Sequence, residues 1–195
     1  MPPTAFFLLT GFADFWRTRT FTQTVTPNYW HKWIPIKSNV FIWRFALERL
    51  PVREKLAAMD IDIPSAICPC CSSHVESLDH LFILCVWSKS LWAAIASWIQ
   101  IPFPNWRSAK DLLSWSDDQF KTQGRTRKVF SLIVYATLKV IWSSRNDMVF
   151  HQKNLKTDEM FMRVKETSFL WCSSRNHKFR IDRSMWFQFP LRGMQ

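Results

Sequence analysis

Four residues in one short stretch constrain this chain more than any other feature: Cys68, Cys71, His80 and Cys85, in CPCCSSHVESLDHLFILC. They read as C-x2-C, eight residues, then H-x4-C. Three thiolates and one imidazole are a full tetrahedral set for Zn²⁺, with no position left for water or substrate. A closed site of that kind organises structure, so one structural Zn²⁺ is the expected cofactor. The C-x2-C half requires a tight turn that brings two sulfurs to one ion. Cys70 adjoins a ligand and is expected to point away when Cys71 binds. His74 is expected to be a solvated loop residue.

The rest of the composition agrees with a helical scaffold. Only 3 glycines occur in 195 residues, poor material for a phosphate-cradling loop or a many-turned β-protein. Hydrophobic content of 48% excludes a mainly disordered chain. The 12 tryptophans and 17 phenylalanines exceed what a small core hides easily, which points some of them to an interface. The 5 cysteines are an odd number and four are clustered, a pattern of metal binding in a reducing compartment. The apolar run Ala5–Phe12 is short and no basic residue precedes it, which argues against a signal peptide, and Leu132–Trp142 is too short to span a bilayer and is broken by Lys139. The expectation is an intracellular protein of nucleus or cytoplasm, with no membrane and no small-molecule substrate as partner.

Apolar periodicity predicts a series of helices. The first runs over Ile36–Leu50, capped by Ser38 or Asn39, with Val40, Trp43, Phe45 and Leu47 as its apolar positions, and Pro51 stops it. A short helix follows at Val52–Met59. After the Cys68–Cys71 turn, Ser77 or Asp79 caps a short helix through Leu84. His80 and Cys85 would lie about 140° apart round an ideal α-helix, so its last turn must loosen for both to reach one metal. Ser88–Ile99 is amphipathic, with Leu91, Trp92, Ile95 and Trp98 on one face. Pro102 and Pro104 mark a linker. Lys110–Trp115 is a weak helix, and Arg125–Phe150 the strongest. Thr157–Cys172 follows, with Phe161, Val164, Ser168 and Leu170–Trp171 towards its buried side. From Ser173 the chain is basic, aromatic and loose.

Charge divides the chain unevenly. Residues 1–60 carry +4, residues 61–120 carry −3 and residues 121–195 carry +10. Sequence-independent nucleic-acid binding, RNA or DNA, is therefore expected in the C-terminal third and not at the metal segment. The candidate contacts are Arg125, Arg127, Lys128, Arg175, Lys178, Arg180 and Arg183. They are interleaved with Phe179, Trp186 and Phe187, which suits stacking on single strands.

Residues 30–95 resemble the zinc-binding domain found on the C-terminal side of reverse transcriptases in plant non-LTR (LINE-type) retrotransposons. The resemblance rests on the lead-in at Trp30, Pro35 and Lys37 and on F-x-W-R at Phe41, Trp43 and Arg44. It continues through R-L-P at Arg49–Pro51, C-P-x-C, the D-H-L-F block at Asp79–Phe82 with Cys85, and Trp92. I-W-x-x-R-N at Ile141–Asn146, with Phe150, is similar to the helical tail that follows in such proteins. The resemblance implies Cys68, Cys71, His80 and Cys85 as zinc ligands and a role in nucleic-acid or template handling.

No polymerase is expected. Two-metal phosphoryl chemistry needs clustered carboxylates. The only Asp-Asp pair, Asp117–Asp118, lies downstream of the metal motif without the family's aromatic residue before it, and reads as a polar loop or helix cap. Endonuclease and ribonuclease H carboxylate sets are likewise not visible, and His31, His151 and His177 are isolated. The expected architecture is mainly α: an irregular segment 1–28, a small helical zinc-binding domain with a Cys3His knuckle at 29–100, a helical extension 101–172 and a basic aromatic tail 173–195. The chain reads as a non-catalytic accessory domain detached from its polymerase. The alternative is a protein-interaction module docking a polymerase core or host factor through a Trp/Phe-rich helical surface.

Overall fold

A computed structural model describes residues 30–119, 124–153, 156–175 and 182–191. They are mainly helical, and no strand occurs among them beyond an isolated antiparallel bridge between Ile67 and Val75. The helices are α1 (Ile36–Ala46), α2 (Arg53–Ala57), a π-helical turn (His80–Leu84), α3 (Val86–Ile99), α4 (Ala109–Asp118), α5 (Gly124–His151), α6 (Thr157–Arg175) and α7 (Arg183–Gln188).

The centre of the molecule is α5. Every residue from Val129 to Leu138 is buried. A helix apolar on all sides must be surrounded, and this one is: α1, α4, α6 and the π turn all pack on it. After a short connection α6 folds back along it, held by Arg163 donating to Asp147 at 3.1 Å. On α3, Leu91, Trp92, Ile95 and Trp98 are buried as the periodicity requires. A left-handed residue, Gln100, ends that helix.

The aromatic residues fill this core. Phe41, Phe45, Phe82 and Trp142 meet between α1, the π turn and α5. Trp92, Phe103, Trp106, Trp115 and Phe130 form a second cluster of edge-on and tilted pairs, the geometry aromatic quadrupoles favour. Residues 101–107, expected as a linker, are thus a strap whose Phe103 and Trp106 plug the core.

Several local expectations are corrected. Helix α1 starts at Ile36 behind Pro35, so Ser38 and Asn39 lie inside it and do not cap it. Asn39 instead clamps the lead-in: its amide receives His31 N and donates to the carbonyls of His31 and Ile34, all at 3.0–3.1 Å. The buried face of α1 is Phe41, Ile42 and Phe45, while Val40 and Trp43 point outward. Helix α4 starts at Ala109 because Ser108 and Asp111 form a reciprocal capping box. Leu170 is exposed. Residues 182–191 are not loose: Asp182 caps α7, and Trp186, 1% exposed, packs on Trp98 and Phe169.

Candidate metal centre

The Cys68–Cys71 turn is built by backbone bonds alone. Cys68 N donates to His74 O at 2.7 Å and Glu76 N to Ala66 O at 2.9 Å, either side of the Ile67–Val75 bridge. Ser72 N reaches back to Cys68 O at 2.9 Å, with Ser72 itself at φ 55°, a left-handed turn position. Four residues thus fold sharply enough to bring Cys68 and Cys71 to one side.

The second pair is aligned by the width of a helical turn. Ser77 Oγ accepts from His80 N at 3.0 Å, which fixes where the turn begins. Cys85 N then donates to His80 O at 2.7 Å, a bond across five residues in place of four. That wider winding puts residues five apart on one side, where an α-helix would separate them by about 140°. The carbonyls it leaves over are used as well: Ser88 Oγ donates to Leu81 O, and Trp92 Nε1 donates to Phe82 O at 2.8 Å. A loosened last turn is what the spacing demands, and a π turn supplies it throughout.

The structure brings Cys68, Cys71, His80 and Cys85 together, with one ligand atom from each within 4.8 Å of the others. Cys71 Sγ and His80 Nε2 are 3.3 Å apart. A tetrahedron with metal–sulfur bonds of about 2.3 Å has edges of about 3.8 Å, so the four fit a zinc-sized ion. Cys68 and Cys85 are fully buried, His80 is 8% exposed and Cys71 half-buried. Hydrogen bonds from the Cys70 and Cys85 thiols hold Cys68 far below the usual thiol range, towards the thiolate a metal requires. Donating to Cys68, together with burial, pushes the Cys85 thiol up. Cys70 does not point away: its thiol lies against Cys68, and it too is pushed up. His74 is exposed but stacks on the His80 ring at 5.2 Å, holding the imidazole plane.

Two carboxylates support the site from behind. Asp79 Oδ1 accepts from Ala109 N at 2.7 Å and so docks the π turn on the start of α4. Glu76 is completely buried and receives both arms of Arg145, at 2.9 and 3.1 Å, with Arg53 at 3.7 Å. Arg145 also lies over Trp142 at 5.2 Å. Burial pushes the Glu76 carboxyl up, and the two guanidinium groups work against that. Sequence reasoning passed over this pair. Its signal was present: a carboxylate, Glu76, midway between the two ligand pairs, and an arginine inside the I-W-x-x-R-N run.

Residues 12–92 match the family model described as zinc-binding in reverse transcriptase. That segment is similar to the zinc-binding domain of reverse transcriptases. Its first residues, 12–29, lie outside the described ones. No curated protein and no solved structure matches the chain. Cys68, Cys71, His80 and Cys85 fall inside the matched segment, while Arg145, which clamps Glu76, comes from outside it.

The basic residues are distributed less simply than the charge map suggests. Arg125, Arg127 and Lys128 lie in the first turns of α5, and Arg175 ends α6. The helical hairpin brings these ends together: Lys128 Nζ lies 5.9 Å from the Trp33 ring, and Arg175 donates to Ile34 O at 3.4 Å. Arg183 stands apart, paired with Glu166 at 3.8 Å and covering Phe187. Lys178 and Arg180 lie outside the described residues. No helix among those described is long and apolar enough to cross a membrane.

Proposed function

We propose that this chain is a zinc-stabilised, non-catalytic accessory domain of a non-LTR retroelement, holding one structural Zn²⁺ and assisting nucleic-acid handling without sequence preference. The observation that carries the reading is the closed donor set: three sulfurs and one imidazole within 4.8 Å, in a segment of reverse transcriptase zinc-binding type. Bound zinc would supply cross-linking of the turn to the π helix and no chemistry on a substrate. The excess of cations supports the nucleic-acid part, because phosphate contact by Lys and Arg is the sequence-independent component of binding.

The test is metal content and strand binding of the purified chain. One zinc per chain is expected. Cys71→Ser should weaken zinc binding by more than the roughly 10–100-fold that loss of a supporting residue costs. A folded protein with no stoichiometric zinc would remove the first half of the proposal. Binding to oligonucleotides should weaken steeply with salt, and salt-independent binding would remove the second.

A second reading, docking on a protein partner, draws on Ile36, Val40 and Trp43, which are exposed on α1. It is the weaker one, because most of the described tryptophans and phenylalanines are committed to the core.

A further inference from the structure

Two stretches that are distant in sequence lie side by side here, and neither contains a carboxylate: residues 30–47 and residues 124–146. On α5, Lys128 and Lys139 are only about 20° apart round the helix and about 16 Å apart along it. Each covers an aromatic ring of the first stretch: Lys128 lies over Trp33 at 5.9 Å and Lys139 over Phe41 at 5.2 Å. Arg175 closes the same end through Ile34 O. Lys32 and Lys37 add two exposed cations. Round α1, Lys37 falls between Val40, the near edge of the outward stripe, and the inward Phe41, while Trp43 is the far edge of that stripe, about 120° from Lys37, where a strand crossing α1 from the cationic row would reach it. Trp43 is 39% and Trp30 57% exposed. The carboxylates that border the two stretches, Glu48 and Asp147, are held by Lys110 at 2.9 Å and by Arg163 at 3.1 Å.

We infer that this face, with Lys32, Lys37, Lys128, Lys139 and Arg175 for phosphates and Trp43 for a base, is the binding surface for single-stranded nucleic acid. The inference rests on the nucleic-acid reading above and gives it a place. A row of cations beside exposed rings is the arrangement that grips a strand without reading it: phosphates follow the charges and bases stack on the rings. The positive field is felt within the fold. His31 is pushed down to about 4, by burial first and then by the charges of Lys128 and Lys32. An acidic protein would be attracted by the same charges but would gain little from a stacking ring.

The test uses the full, zinc-loaded chain and a fluorescent oligothymidylate of about twenty nucleotides at low salt. Lys32→Gln and Lys128→Gln should each weaken binding several-fold and lower the salt slope by about one. Trp43→Ala, at an exposed position, should cost about tenfold and leave the slope unchanged. Lys153→Gln and Lys156→Gln, exposed at the far end of the hairpin, are the controls and should change little. Equal losses in face and control variants would overturn this surface while leaving the nucleic-acid reading standing. So would an unaffected Trp43→Ala, or polyglutamate competing as well as unlabelled strand. A wild-type chain that binds no strand would overturn both.

Discussion

His31 sits in the lead-in to α1, its backbone N–H and carbonyl both bonded to Asn39 and its Nδ1 accepting from Trp33 N at 3.2 Å. The ring is buried next to Lys128 and Lys32, and a hydrogen bond to the Lys128 backbone offsets burial and those charges only in part, so protonation is disfavoured. The folded-state pKa of about 4 lies below the ordinary 6.5. The unfolded chain therefore binds the extra proton first. The stabilisation is complete above pH 6.5 and is lost as pH falls towards 4, by at most about 3 kcal/mol. The acid slope of thermal or urea stability is expected to be shallower in His31→Asn than in wild type over that window. The same slope in both would mean that the folded imidazole titrates normally. Of these residue-scale features, the four donors were legible because metal chemistry restricts residue type and spacing. The placement of Asn39 was not, since clamping a lead-in and capping a helix ask for the same side chain.

Elements show where periodicity informs and where it fails. Helices α3, α5 and α6 were readable because long buried stripes repeat at 3.6 residues. The π turn was half-readable: the five-residue spacing of His80 and Cys85 excludes an ordinary helical turn, but not which wider form replaces it. Residues 101–107 and 182–191 were misread because prolines and charges look like linker and tail, while a few aromatics, Phe103 and Trp106 in the one and Trp186 in the other, anchor both segments. For α7 this has a measurable consequence. Trp186→Ala should cost about 3–5 kcal/mol in urea unfolding, as for a buried core tryptophan. A loss near zero would mean that α7 is undocked in solution. The clamp between the metal loop and α5 is equally testable. Removing one partner, as in Arg145→Met, leaves the buried carboxylate with only the longer contact to Arg53 at 3.7 Å and should cost up to about 3–5 kcal/mol. It should also weaken zinc binding about tenfold or more. The double variant Glu76→Met with Arg145→Met should recover most of the stability, because two apolar side chains replace a buried pair at little cost. If the double variant is as unstable as the single, the pair acts through something other than charge.

For the whole molecule, one continuous core runs from Trp33 to Trp186 and includes Cys68 and Cys85. Metal removal is therefore not confined to the Cys–His loop. A strong chelator is expected to speed amide exchange first over residues 66–85 and then around Arg145, with a fall in the unfolding midpoint of the entire chain. Exchange that changes only within the loop would mean that Glu76 and Arg145 stay paired without the ion. Sequence could not reveal this coupling. It resides in a contact between positions 69 residues apart, and no local pattern records which arginine reaches which carboxylate.

The Glu76–Arg145 contact also separates two meanings of the word domain. The segment by which the family is recognised ends at residue 92, yet the carboxylate at the centre of its metal loop is neutralised from position 145. Recognition and folding thus have different lengths in this protein. A chain truncated after residue 92 would still match the family model, but it would carry a buried charge with nothing from α5 to answer it. Across sequences that diverge, positions 76 and 145 should change together, even though only one of them lies inside the segment that defines the family.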